Sequence, residues 1–238
     1  MSYCNAIQNM SGDKQALHKA YHDKLYGFPI HDDNELFCRL VLEINQAGLS
    51  WETILKKETT FRKAYDNFNI QIVAAYAESD RERLLADAGI IRNRLKVNAA
   101  IENAKTILRL QQEHGSFLKW LEHHHPKTKE EWVRVFKKTF KFTGGEIVNE
   151  FLMSIGFLEG AHTSGCAIHK AVLKSKPMWH QSITTEKSIN KKTSTFLIIT
   201  RFLIPQSLLW SVIFYRLLYS PHTYHAPQAI QEYPIRVV

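Results

Sequence analysis

Cysteine is scarce in this chain: three in 238 residues, Cys4, Cys38 and Cys166, odd in number and scattered. That argues against a disulfide framework and for a reducing, intracellular setting. Glycine (10) and proline (7) are also few, and no internal repeat or low-complexity segment interrupts the chain. The opening Met-Ser-Tyr-Cys-Asn lacks a basic stretch followed by an apolar one, so no secretory signal is expected. Aspartate disappears after Asp87, which removes one common catalytic group from the last 151 residues of a 238-residue chain.

What remains is helical in character. Hydrophobic residues make up 45% and charged residues 23%, as in a soluble globular protein. Leu, Ile, Ala, Lys and Glu recur at helical spacing. The pattern predicts helices at roughly 13–25, 33–47, 50–57, 59–66, 70–76, 79–88, 92–113, 115–122, 128–137 and 144–157, separated by glycine or proline signals. A compact all-α domain over about 1–180 is the simplest account. Beyond Pro177 the character changes: a polar Ser/Thr/Lys stretch precedes an apolar run over 196–219, interrupted by Arg201, Pro205, Gln206 and Arg216. A central arginine costs on the order of 2.5–3.5 kcal/mol on insertion scales, so 181–238 is expected to be an appended extension rather than a membrane anchor. Formal net charge is +8 and the pI is near 9.3, which favours a polyanionic partner. The tail from 178 carries six Lys/Arg against two Glu, so half of that excess belongs to it.

Three constellations could carry chemistry. In Leu42-Glu43-Ile44-Asn45-Gln46-Ala47-Gly48-Leu49-Ser50-Trp51 a carboxylate interrupts an apolar helix face and a glycine precedes an indole. On pattern alone this is a helix capped by Gly48 with Trp51 in the core; a carboxylate and a large ring at one corner could also hold a flat cationic ring. Second, His162 and Cys166 lie four apart, a workable half of a metal site, and Cys4 with His22 would complete a tetrahedron. Cys38, His18, His31 and His169 are rival ligands, and spacing alone favours unconnected histidines and thiols. The run His123-His124-His125 reads as a solvated helix end. Third, Asp87-Ala88-Gly89-Ile90-Ile91-Arg92 joins two helices through a glycine turn, with Arg92, Arg94 and Lys96 opening the second. Backbone N–H groups at such a turn bind phosphate, and Gly89, Ile91, Arg92, Arg94 and Lys96 are the candidate DNA contacts.

These segments in order resemble the 3-methyladenine DNA glycosylase I family. The matching pieces are Cys4, Ala20-Tyr21-His22-Asp23 with Tyr26-Gly27, Asn34-Glu35-Leu36-Phe37, and Leu42-Glu43 with Gln46-Ala47-Gly48-Leu49-Ser50-Trp51. Asp87 to Arg92, Phe140-Lys141-Phe142-Thr143-Gly144, and His162 with Cys166 complete the set. The resemblance covers about 1–180 and implies an all-α helix-hairpin-helix fold whose terminal segments are joined by a structural zinc staple. It implies Cys4, His22, His162 and Cys166 as zinc ligands, Glu43 as the catalytic carboxylate on the floor of a base pocket, Trp51 as the ring that stacks on the extruded base, and Tyr21 as a further lining residue. His18 stands where the family often has tyrosine. Tyr26 stands where it has tryptophan, and the family's tryptophan shortly after the early cysteine is missing. Residues 181–238 have no family counterpart.

The implied activity is hydrolysis of the N-glycosidic bond of alkylated bases, chiefly 3-methyladenine, by base flipping and without strand cleavage. The missing downstream aspartate fits an enzyme acting on an already labile bond. The expected partner is double-stranded DNA carrying alkylated bases, with a cytoplasmic monomer needing no protein partner. The rival expectation is a zinc-stapled module that binds damaged DNA without releasing a base.

Overall fold

Capping chemistry and apolar periodicity set the architecture of residues 2–181, the part of the chain described by this computed structural model. The described residues form eleven α-helices and no strand. They are α1 (Tyr3–Gln8), α2 (Gly12–Lys24), α3 (Asp33–Gln46), α4 (Trp51–Ala64), α5 (Ile70–Ala74), α6 (Glu78–Ala86), α7 (Arg94–His114), α8 (Phe117–His124), α9 (Lys129–Thr139), α10 (Gly145–Ser154) and α11 (His169–Lys174). The all-α expectation therefore holds. The extension from 182 on, including the apolar run 196–219, lies outside the described residues. Among the described residues no helix is long and apolar enough to cross a membrane.

Most helices begin where a short polar side chain accepts from a backbone N–H left over in the first turn. Asp32 Oδ1 accepts from Glu35 N at 2.9 Å, and Asn93 Oδ1 from Leu95 N and Lys96 N at 3.0 and 3.2 Å. Thr128 and Glu131 cap α9 reciprocally, each accepting from the other's backbone N–H. α3 is the central element. Its Leu36, Phe37, Leu40, Val41 and Ile44 are completely or almost completely buried, and α4, α5, α7, α8 and α10 all pack against it. Because every face of α3 meets protein, its polar Arg39, Glu43 and Asn45 are buried too.

Three departures from the expected elements have local causes. α4 is one helix where two were expected, because the Thr59-Thr60 pair does not break it. Thr60 Oγ1 instead donates to the carbonyls of Lys57 and Gly89 at 2.8 and 2.6 Å. α1 and α11, six residues each, are too short for apolar periodicity to announce them. The histidine run is only partly solvated: His123 is exposed, whereas His124 meets the Trp120 ring edge-on at 4.7 Å and His125 meets Phe157 at 5.6 Å.

Candidate functional site

A tight turn brings Glu43 and Trp51 to one place. α3 stops at Gln46, Ala47 takes φ −50° and ψ 116°, and Gly48 takes φ +82°. Leu49 N then donates to Gln46 O at 2.6 Å. These are the angles and bond of a type II β-turn, whose third residue needs positive φ and so favours glycine. Ser50 starts α4 immediately, its Oγ accepting from Thr53 N at 3.2 Å. The turn thus folds the indole at the start of α4 back beside the carboxylate in the last turn of α3.

Both residues line a cavity of about 440 Å³, together with Tyr3, Tyr21, Tyr26, Gln46 and Glu150. That volume suits a single small planar ligand. Trp51 lies tilted at 5.1 Å from the Tyr21 ring, so it walls the cavity and is only half-buried, rather than lying in the core as pattern alone suggested. Its indole Nε1, itself shielded from solvent, has no hydrogen-bond partner among the described residues.

Electrostatics set Glu43 apart. Its side chain is 4% exposed, and no hydrogen bond anchors the carboxylate among the described residues. Burial pushes it up to about 8; the Arg39 guanidinium one turn earlier pulls the other way, and Glu150 adds to the rise. Arg39 is committed to Tyr21: its Nη1 donates to the Tyr21 hydroxyl at 3.1 Å and its guanidinium lies 5.0 Å from that ring's centroid. The cavity therefore holds a carboxyl group that stays largely protonated near neutrality and ionises readily only when positive charge enters.

Cys4, His22, His162 and Cys166 converge, their candidate ligand atoms all within 4.8 Å of one another. The four sulfur–nitrogen separations are 3.4, 3.7, 3.7 and 3.8 Å. A tetrahedral zinc with ordinary bond lengths spaces sulfur and nitrogen ligands by about 3.6 Å. The outward ring nitrogens are also held, as metal-binding histidines require. His22 Nδ1 lies 2.8 Å from Asp23 Oδ1, and His162 Nε2 donates to Tyr26 O at 2.8 Å. The donor set fits a metal ion. Of the rival ligands, Cys38 is buried in the main core and His18 bonds Tyr3 through Nδ1 at 2.8 Å.

A short turn joins α6 to α7, and its residues separate. Gly89 N donates to Asp87 Oδ1 at 2.7 Å, and a Cβ on Gly89 would meet that oxygen at 2.9 Å and Thr60 Cβ at 3.1 Å. A side chain there would crowd Asp87 and Thr60. Arg92 and Arg94 are exposed and Ile91 is half-buried. Lys96 departs from the expectation: it is 5% exposed, and its ammonium donates to Asn45 O and Ala47 O at 2.9 and 2.6 Å. A side chain so placed braces the end of α3 and does not present its charge outward.

The sequence reading missed Tyr3, Gln46 and Glu150 as lining residues. Tyr3 sits one position before the cluster cysteine, a signal available in principle. Glu150, on α10, had none, because only tertiary packing brings α10 against α3.

A family model described as methyladenine glycosylase matches residues 11–138. The chain is similar to DNA-3-methyladenine glycosylase 1 of Escherichia coli (strain K12), 35% identical over 172 residues, spanning 64% of this chain and 91% of the relative. Among solved structures it is similar to a 3-methyladenine DNA glycosylase I, with TM-score 0.59, 34% identity, and 67% of this chain and 96% of that one covered. A second, from Staphylococcus aureus and described as the basis of 3-methyladenine recognition, gives TM-score 0.63 and 28% identity over 71% of this chain and 97% of that one.

Proposed function

The chain belongs to the methyladenine glycosylase family, and we propose that it is a DNA-repair glycosylase that hydrolyses the N-glycosidic bond of alkylated bases, chiefly 3-methyladenine. The observation that carries this reading is the buried, unanchored Glu43 carboxylate in a cavity walled by Trp51 and Tyr21.

Alkylation at the adenine N3 makes the base of the nucleotide cationic, which weakens the glycosidic bond. The enzyme then has to extrude the nucleotide, hold the base as it leaves and admit water. Extrusion costs a few kcal/mol, less for a damaged base. In the cavity, Glu43 releases its proton to water as the cationic base enters, and the resulting carboxylate accepts from the base's N–H groups. Neutral adenine offers no such compensation: Glu43 then stays protonated, because an ionised buried carboxylate without a partner is costly, and the normal base forgoes the charge attraction that holds the alkylated one. Trp51 adds stacking, on the order of 1–3 kcal/mol for a base on an aromatic ring, strengthened when the base is cationic. Tyr21, braced by Arg39, fixes the pocket's shape. No aspartate follows Asp87, consistent with a reaction that relies on the lability of the bond.

The basic turn supports a grip on double-stranded DNA through Gly89, Ile91, Arg92 and Arg94. Lys96 supports the pocket instead. Zinc at Cys4, His22, His162 and Cys166 supplies a closed structural staple between the α1–α2 segment and the loop before α11. We propose that the protein acts as a monomer. Pocket, hairpin and cluster all fall within 1–180, which we take as the catalytic domain, with 181–238 an extension to it.

Incubating the purified protein with methylated DNA and identifying released bases by chromatography tests the reading. Release of 3-methyladenine, with no borohydride-trapped adduct on abasic DNA, is expected. DNA binding without any base release would replace the enzyme with a binding module.

A further inference from the structure

Glu150 is a second carboxylate at the same site, and the mechanism above makes no use of it. Alongside the 440 Å³ cavity lies another of about 370 Å³, lined by Glu43, Gln46, Ala47, Gly48, Leu49, Glu146, Ile147 and Glu150. Glu43, Gln46 and Glu150 line both, so they form the waist where the two spaces meet. α3 supplies Glu43 and Gln46, and α10 supplies Glu150. Glu150 is held in place: the Tyr26 hydroxyl donates to its Oε2 at 3.1 Å. Tyr26 is in turn wedged edge-on against Tyr3 at 5.4 Å and tilted against Tyr21 at 5.6 Å. A positioned carboxylate thus stands beside a nine-tenths buried, unanchored one, while Arg39, the cation one turn from Glu43, is hydrogen-bonded to Tyr21.

We propose that Glu150, positioned by Tyr26, is a specificity-determining residue that joins Glu43 in selecting cationic over neutral bases. This deepens the glycosylase reading and rests on it for the identity of the ligand. Burial raises the Glu150 carboxyl above its ordinary range and the Tyr26 hydroxyl opposes that rise, so of the two acids at the waist Glu150 is the one whose ionised form already has a hydrogen-bond donor. Glu43 is the responsive partner, ionising when a cation arrives. Two carboxylates lining the same site disfavour a second charge there, and a permanently cationic ring relieves that repulsion where a neutral ring does not. A phenol hydroxyl at position 26 can bond a carboxylate acceptor, whereas the ring of a phenylalanine cannot.

Calorimetric binding of two small probes to the full chain separates the possibilities: 3,9-dimethyladeninium, a fixed cation, and neutral 9-methyladenine. The wild type is expected to prefer the cation, and Glu150→Gln to reduce that preference about tenfold by weakening cation binding. Tyr26→Phe is expected to produce a smaller loss of the same sign, and it serves as the readout if Glu150→Gln fails to fold. An unchanged preference in the folded Glu150→Gln variant, or in Tyr26→Phe where that is the only folded one, overturns the proposal. Base release from methylated DNA is measured alongside. Release that persists with an unchanged probe preference removes Glu150 from the account and leaves the glycosylase reading standing. Charge-selective binding that depends on Glu150 in a wild type releasing no base supports the proposal and removes the glycosylase reading.

Discussion

The ammonium of Lys96, in the first turn of α7, donates to the carbonyl of Ala47 at 2.6 Å, just past the end of α3. A second bond reaches Asn45 O at 2.9 Å. The helix that follows the basic hairpin is thereby fastened to the helix that carries Glu43. The last carbonyls of α3 have no partner within their own helix, and a buried cation satisfies them.

Lys96→Met keeps the aliphatic stem and removes the donor. It should destabilise the protein by about 1–3 kcal/mol, the cost of leaving buried acceptors unsatisfied. Thermal unfolding checks this, with a fall of roughly 2–4 °C expected per kcal/mol for a domain of this size. DNA affinity should fall little, in contrast to Arg92→Ala or Arg94→Ala, which should weaken binding and flatten its salt dependence.

Gly48 isolates the contribution of backbone conformation. Its φ is +82°, and an added Cβ would meet nothing within 4 Å, so substitution strains the backbone without a clash. Gly48→Val should cost on the order of 1–2 kcal/mol, and Gly48→Asn less, because asparagine tolerates the left-handed region. Urea unfolding gives the cost. Base release should slow in the same order, since this turn places Trp51 beside Glu43.

The cysteine–histidine cluster predicts about one zinc per purified chain. Chelation should lower the unfolding temperature and added zinc should restore it, because binding energy at such a site is folding energy. Cys166→Ser should lower both metal content and stability. A metal content well below one per chain would contradict the staple.

Glu43 should make stability and activity depend on pH in opposite directions. Its ordinary value of 4.5 rises to about 8 in the folded protein. The folded state therefore binds the proton more tightly, and the stability this gives is full below pH 4.5 and lost as pH rises through about 8. Glu43→Gln should remove that slope, measurable by urea unfolding at pH 5, 7 and 9. Base release at subsaturating DNA should instead rise with pH towards about 8 as the carboxylate ionises, and the rise should vanish in the same variant.

Legibility in the sequence followed the range of the interactions. Helices with a cap and several turns, such as α3 and α7, were visible because caps and periodicity are local. The turn at Gly48 was visible as a break, but the cavity it creates was not, because Tyr3 and Glu150 reach it only through packing. The cluster's four ligands span 163 positions from Cys4 to Cys166, and spacing alone left them ambiguous; the ordered resemblance named them. Lys96 was misread for a related reason. A lysine at a helix start in a basic turn looks solvated, and only the contact with α3 turns it inward.

Single-turnover release of 3-methyladenine by the wild type and Glu43→Gln, with DNA affinity measured on the same samples, tests the role given to that buried carboxylate. The account predicts release slowed by on the order of a hundredfold, as for loss of a charged group acting on the departing base, with DNA affinity little changed. Release at the wild-type rate by a folded Glu43→Gln protein would contradict it.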